Sequence, residues 1–155
     1  MRFLHRLTTE LSHTTWACEL ALVLTAAERR ALTATRGRHS LSSALGVPLC
    51  LVWTRGVRTG RWRSAPVICT RHHGGLLVLG SHGGRPTHPQ WTNNLLRDGT
   101  AALTLGGTTT PARARLLTGS ERAALWPAVL ETWPPYATYE QRSGRQLRMF
   151  LLSPE

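Results

Sequence analysis

The sequence predicts a small, mostly antiparallel β-barrel of about six strands, an α+β chain with more β than α. Three observations carry this. Short apolar runs rich in β-branched residues and bounded by glycine recur from Val47 onward, at strand length and not at helix length. Their links are tight turns, such as His72-His73-Gly74-Gly75 and Gly106-Gly107, which join antiparallel neighbours and cannot make the long crossovers of a doubly wound parallel sheet. The chain has 155 residues, 41% of them hydrophobic. That suffices for one domain, which at this size buries about 70% of its unfolded surface without a covalent staple.

Residues 1–45 read as an N-terminal helical extension. Trp16, Leu20, Val23, Leu24 and Ala27 recur at helical spacing. Glu19 interrupts the apolar stretch and no basic run precedes it, which is not the layout of a cleaved signal. A helix covering one mouth of the domain is the expectation. Peripheral membrane contact is the alternative, because Arg2, His5 and Arg6 flank it. Residues 46–155 read as the barrel domain. Strands are expected at 48–54, 64–70, 75–80, 101–107, 109–117 and 146–152. In the fifth, Arg113 and Arg115 alternate with Ala112, Ala114 and Leu116, giving one wet face and one packed face. A helix is expected from His88 to Arg97, after Pro86 and Pro89 and stopped by Gly99. A second covers 118–133, with Ser120 as its cap and Pro134-Pro135 as its end, and a short turn follows at 136–142. No run of 18 apolar residues exists to span a membrane.

Charge narrows the chemistry. There are 19 basic residues, all Arg, against 8 acidic, for a net charge of +11. Between Glu28 and Asp98 the chain holds eleven Arg and no carboxylate, whereas the remainder balances at eight of each. That segment cannot supply the acid pair of a glycosidase or the oxygen ligands of a hard-cation site. It can hold an anion. Cys18, Cys50 and Cys69 are widely spaced with no CxxC, so no disulfide framework and no metal site are expected, and a reducing, cytoplasmic setting suits them. The only Asp is Asp98 and no G-x-S-x-G occurs, which argues against a Ser/His/Asp triad. His72 and His73 fall in a turn, while His82 and His88 have no carboxylate partner in view.

Three segments carry candidate function. In 54–67, Gly56 and Gly60 bracket a tight connection crowded by Arg55, Arg58, Arg61 and Arg63, with hydroxyls at Thr54, Thr59 and Ser64. Glycine lets backbone amides approach a ligand and Arg forks match phosphate or carboxylate oxygens. An anion cradle and a solvated arginine hairpin both fit, and the missing acids favour the cradle. In 79–95 a strand ends at Ser81, Gly83-Gly84 turns the chain, and a proline-rich entry starts a helix carrying Trp91 and Asn94. In 133–142, Trp133, Tyr136 and Tyr139 stand three apart, either a packed aromatic stripe or a substrate-facing wall with phenolic hydroxyls.

Together and in this order, the segments resemble the deazaflavin-dependent nitroreductase family, whose members use reduced coenzyme F420. The likeness runs from about Gly46 to Leu152. It rests on Thr54, Gly56, Arg58, Thr59, Gly60, Arg63 and Pro66. It continues with Ser81, Gly83, Gly84, Pro86, His88, Pro89, Trp91, Asn94 and Leu95, then LLTG at 116–119, and closes on Pro135, Tyr136, Ala137, Tyr139 and Arg142. The resemblance implies a split β-barrel of the flavin-binding type over 46–155. It also implies an F420H2-dependent reductase that passes a hydride to a quinone, enone or nitroaromatic, in a biosynthetic setting for some relatives.

Residue by residue, the resemblance assigns Arg55, Arg58, Thr59, Arg63, Ser64 and Pro66 to the cofactor's phosphate and glutamyl tail and its surroundings. It sets Ser81, Gly83 and Gly84 along the deazaflavin ring, and Trp91 and Asn94 closing that pocket. Ser81, Tyr136 and Tyr139 are the implied catalytic residues, facing the acceptor. Val57, Thr87, Thr92, Asn93 and Trp133 depart from the pattern of many relatives, which bears on the substrate and not on the cofactor. Alternatives are an FMN-binding reductase of the same fold, a non-catalytic F420 carrier, and a basic nucleic-acid-binding module built on Trp53, Trp62 and the Arg cluster. The partner expected is a small-molecule hydride acceptor and not nucleic acid, with the protein a monomer or homodimer.

Overall fold

The computed structural model describes residues 26–40, 42 and 46–155. The expected helix over Trp16 to Thr25, the membrane contact through Arg2, His5 and Arg6, and Cys18 lie outside the described residues. Residues 26–34 are helical (α1). Six strands follow: β1 (Leu49–Arg55), β2 (Trp62–His72), β3 (Gly75–Leu79), β4 (Thr100–Leu105), β5 (Thr108–Leu117) and β6 (Met149–Pro154). They close an antiparallel barrel in the order β1-β2-β3-β6-β5-β4. Three more helices are α2 (Gln90–Asp98), α3 (Gly119–Thr132) and α4 (Tyr136–Ser143). Among the described residues no helix is long and apolar enough to cross a membrane.

Strand alternation builds two cores. Inward-facing Cys50, Val52, Val67, Cys69, Val78, Leu103, Phe150 and Leu152 fill the barrel, and Leu95 of α2 joins them with Trp91 packed alongside. Outward-facing Leu77, Leu79, Leu117 and Met149 pack beneath α3 and α4, against Val129, Tyr136 and Tyr139. On β5, Ala112 is buried while Arg113 and Arg115 stay exposed, as the alternation predicts.

Several boundaries move. The helix expected from His88 begins at Gln90, because Pro89 is extended at φ −65, ψ 143 and serves as its N-cap. Thr118, not Ser120, is the N-cap of α3. The expected turn at 136–142 is a helix, entered from Pro135 and stopped by left-handed Gly144. The last strand starts at Met149, not 146, because the Leu147 amide donates to Glu140 Oε1 at 2.9 Å instead of joining the ladder.

One feature of the register positions the site. β2 pairs with β1 over Trp62–Ile68 and with β3 only over Cys69–His72. β2 and β3 therefore part beyond the Cys69–Val78 pair, leaving the edge of residues 62–68 with no second ladder partner among the described residues. Pro66 sits on that edge, where its missing N–H costs no second ladder.

Candidate active site

The β1–β2 connection is a tight glycine hairpin. The Gly56 amide donates to Arg61 O at 2.9 Å, and Gly60, at φ 65, donates to Gly56 O at 2.8 Å. Arg55 Nε donates to Gly60 O at 3.0 Å, which ties that guanidinium to the hairpin itself. Arg58, Thr59, Arg61 and Arg63 stand exposed around the tip. Among the described residues none of them meets a carboxylate in an ion pair.

Asn94 braces this hairpin from α2. It is 4% exposed; its Nδ2 donates to the buried Thr54 Oγ1 at 2.9 Å and its Oδ1 accepts from the Val57 amide at 3.2 Å. Arg97, one turn further on, donates to Val57 O at 2.7 Å. Asn94 thus meets the hairpin on both sides of Gly56, and its polar atoms are used within the protein. Trp91 is half-buried on the same helix, its ring 6.1 Å from that of Phe150.

Ser81 to Gly84 forms the opposite side, beyond the end of β3. His82, Gly83 and Gly84 take φ of 51, 61 and 77 in succession, a left-handed path that glycine follows without strain. At Gly84 a Cβ would lie 3.2 Å from Tyr139 Cα, so the turn rests directly on α4. At Gly80 a Cβ would lie 2.5 Å from Thr92 Cγ2, so α2 also packs against the backbone. Tyr136 and Tyr139 lie beneath the turn, 3% and 9% exposed, their rings edge to face at 6.4 Å. Burial pushes the Tyr136 phenol well above its ordinary range, so it is a protonated donor at neutral pH.

The residue that organises this turn is Arg145, which the sequence reading missed. Its guanidinium donates to Gly80 O at 3.2 Å, Ser81 O at 2.9 Å, Arg85 O at 3.1 Å and Thr87 O at 3.1 Å. It also meets His88 Nδ1 at 3.0 Å. A guanidinium only donates, so Nδ1 is the acceptor and the His88 proton lies on Nε2. Burial, then the charges of Arg145 and Arg148, hold the His88 pKa below its ordinary value. Arg148 donates to Thr92 Oγ1 at 3.0 Å and Asn93 Oδ1 at 2.6 Å, fixing α2 from the same side. The Arg122–Glu140 pair, at 2.7 Å and with side chains 9% and 25% exposed, ties α3 to α4. The only sequence signal for Arg145 was an Arg-x-x-Arg pair just before the last strand, and acids elsewhere in the balanced remainder masked it.

The structure therefore brings the glycine hairpin, the open edge with Ser64 and Pro66, and α2 into one region, and builds the Ser81–Gly84 turn where β3 leaves β2. The two tyrosines are set behind that turn. Among the described residues no group of three or more His, Cys, Asp or Glu gathers to hold a metal. Cys50 and Cys69 are free thiols inside the barrel.

A model of the F420H2-dependent quinone reductase family matches residues 24–154. Over 108 residues the chain is 26% identical to the Mycobacterium tuberculosis (strain ATCC 25618 / H37Rv) protein Rv3178, which bears the name of an F420H2-dependent quinone reductase; the match covers 70% of this chain and 91% of that one. Among solved structures, the F420-H2 dependent reductase FDR-A superposes with a TM-score of 0.63 at 32% identity, covering 68% of this chain and 94% of that one. A second, described as a domain-swapped dimer, gives a TM-score of 0.66 at 28% identity over 83% of this chain and 96% of that one.

Proposed function

Because the chain belongs to the F420H2-dependent quinone reductase family, we propose that it passes a hydride from the reduced deazaflavin to an electron-poor small molecule, foremost a quinone, with enones and nitroaromatics in the same class. It is an F420H2-dependent oxidoreductase, and its cofactor is coenzyme F420. The residues fit that group. Gly83 is left-handed with nothing within 4 Å on its Cβ side, so a flat ring can lie against the backbone there. The exposed Arg58 and Arg63 match the cofactor's phosphodiester and carboxylates.

In this reading Arg58, Thr59 and Arg63 hold the anionic tail, with Arg55 stiffening the hairpin and Ser64 and Pro66 lining the open edge. Ser81, Gly83 and Gly84 border the ring, and Trp91 closes the α2 side. Asn94 acts one step back, by holding the hairpin that presents Arg58. Arg145 holds the Ser81–Gly84 turn in place. When bound, the reduced cofactor supplies a hydride and a proton, so that a quinone leaves as the hydroquinone. Ser81 orients the acceptor oxygen by hydrogen bonding, and Tyr136, with Tyr139 against it, supplies a protonated phenol behind the turn. The domain-swapped neighbour supports a homodimer, and the free thiols of Cys50 and Cys69 support a reducing, cytoplasmic setting.

The observation that carries the proposal is an acid-free arginine hairpin at the open edge of β2 within a chain of this family. Anaerobic turnover tests it, with F420H2 and menadione or a nitroimidazole, followed by recovery of the oxidised deazaflavin's visible absorbance. Steady oxidation is expected. Binding of F420 without oxidation by any acceptor would make the protein a carrier.

A further inference from the structure

We infer that the barrel mouth at the far end from the glycine hairpin is a second ligand site, and that it takes a small aliphatic carboxylate. The register places this mouth. Cys69 pairs with Val78, both in the barrel core, and Arg71 pairs with Leu76 two residues nearer the strand ends. Strand alternation therefore turns Arg71 and Leu76 to the same inward face. Leu105 follows inward Leu103 in the same way. A cavity of about 330 Å³ opens there, walled by Leu32 of α1 with Pro48, Leu49, Leu76 and Leu105, and reaching in to Cys69. A second, of about 410 Å³, shares Arg71, Leu76 and Leu105 with it and extends to Thr108 and Thr110. Neither shares a residue with the Ser81–Gly84 turn or the β1–β2 hairpin, so this site is separate from hydride transfer.

Three features favour an aliphatic carboxylate. First, two guanidiniums, Arg38 and Arg71, line the cavity. Among the described residues neither meets a carboxylate, whereas Arg113, Arg115 and Arg122 each do. The only acid between residues 26 and 97, Glu28, is turned inward at 4% exposure and accepts from the amide and hydroxyl of Ser42. Second, both cations are held over the mouth. Arg38 lies across the β4–β5 turn, where a Cβ at Gly107 would stand 2.6 Å from its Nε, and the Gly106 amide donates to Gly37 O at 3.1 Å. Arg71 reaches the cavity's inner end: a hydrogen bond from Cys50, together with the Arg71 charge, holds the Cys69 thiol below its ordinary value despite burial. Third, the walls of the first cavity are leucine and proline, with no aromatic ring on which a flat ligand could stack. An inorganic anion would satisfy the cations and leave those walls wet, and an alcohol would do the reverse. A carboxylate on a short aliphatic body satisfies both.

Isothermal titration calorimetry on the full chain, with and without F420, tests this with hexanoate, hexanol and inorganic phosphate. Hexanoate should bind about tenfold more tightly than either control, or better, at low salt. Arg38→Gln with Arg71→Gln should reduce hexanoate to the level of hexanol, while Arg113→Gln, on β5, should change nothing. Alkylation read by peptide mass spectrometry places the ligand. Free thiols react faster with iodoacetamide than with iodoacetate; Cys69 should prefer iodoacetate, lose that preference in Arg71→Gln, and be protected from both reagents by hexanoate. Hexanoate no tighter than hexanol, an affinity that survives the double variant, or a Cys69 that hexanoate leaves unprotected would overturn the inference. Phosphate as tight as hexanoate would reduce the mouth to an anion patch and would overturn it too. Hexanoate and F420 should bind together. Mutual displacement would make the mouth part of the cofactor's own site and refute a second one. Turnover of F420H2 with menadione is a separate readout, so failure of the carboxylate site leaves the reductase reading standing.

Discussion

Asn94→Ala separates a brace from a ligand. The wild-type amide joins two groups of the protein: the Thr54 hydroxyl, on a residue 1% exposed, and the Val57 amide, on an exposed residue. Truncation leaves the Thr54 hydroxyl buried with no partner, a loss of about 1–3 kcal/mol. Water can take over the Val57 amide at little cost. For a chain of this size each kcal/mol shifts Tm by roughly 2–4 °C, so a fall of roughly 2–12 °C is expected with no cofactor present. Thr54→Val removes the orphaned hydroxyl, so the double variant should recover about 0.5–1.5 kcal/mol relative to the sum of the two single variants. Cofactor affinity should fall as well, because the hairpin presenting Arg58 loses its support. Differential scanning calorimetry of the four cofactor-free proteins checks this. An unchanged Tm in Asn94→Ala, with affinity alone reduced, would show that Asn94 is a direct cofactor ligand and refute the brace.

Other predictions follow from the same geometry. Arg58→Ala and Arg63→Ala should each weaken F420 binding by roughly 1.5–3 kcal/mol. Arg113→Ala should change it little, since that guanidinium lies on a strand beyond the acid-free segment and pairs with Glu155 at 2.7 Å; equal losses at all three would mean a diffuse field. Arg145→Lys should weaken F420 binding about as much as Arg145→Ala, because an ammonium cannot span the carbonyls the planar fork meets; full rescue by Lys would reduce the residue to a charge. Tyr136→Phe should slow turnover more than it weakens F420 binding, and the reverse would make the phenol cofactor-facing. Because the folded-state pKa of His88 is depressed, the unfolded chain takes up the proton first as pH falls below about 6.5, and stability is lost from there down to the folded value. His88→Gln should flatten that part of the Tm–pH profile, and an unaltered slope would refute it.

Much of the barrel was legible because it rests on local patterns. The Arg/Ala alternation of 112–115, the glycine-bounded runs and the Gly106-Gly107 turn each report on neighbours a few residues away. The two glycine-containing connections were legible for the same reason. What the pattern hid was long-range hydrogen bonding. Glu140 captures the Leu147 amide and so delays the last strand. Arg145 binds carbonyls about sixty residues earlier, and a backbone carbonyl leaves no signature in sequence. The resemblance marks Asn94, but its contacts with Thr54 and Val57, 40 and 37 residues earlier, leave no local pattern. Gly144 held the signal for the α4 stop, yet the two prolines before Tyr136 read as a turn and not as the entry to a helix.

The most direct test of the central claim is a crystal structure of the protein with oxidised F420 bound. The ring is expected against Ser81–Gly84 at the open edge of β2, with the phosphodiester within hydrogen-bonding distance of Arg58 and Thr59. A cofactor lodged elsewhere, such as at the barrel end lined by Arg38, Arg71 and Leu105, with Arg58 left in solvent, would contradict it.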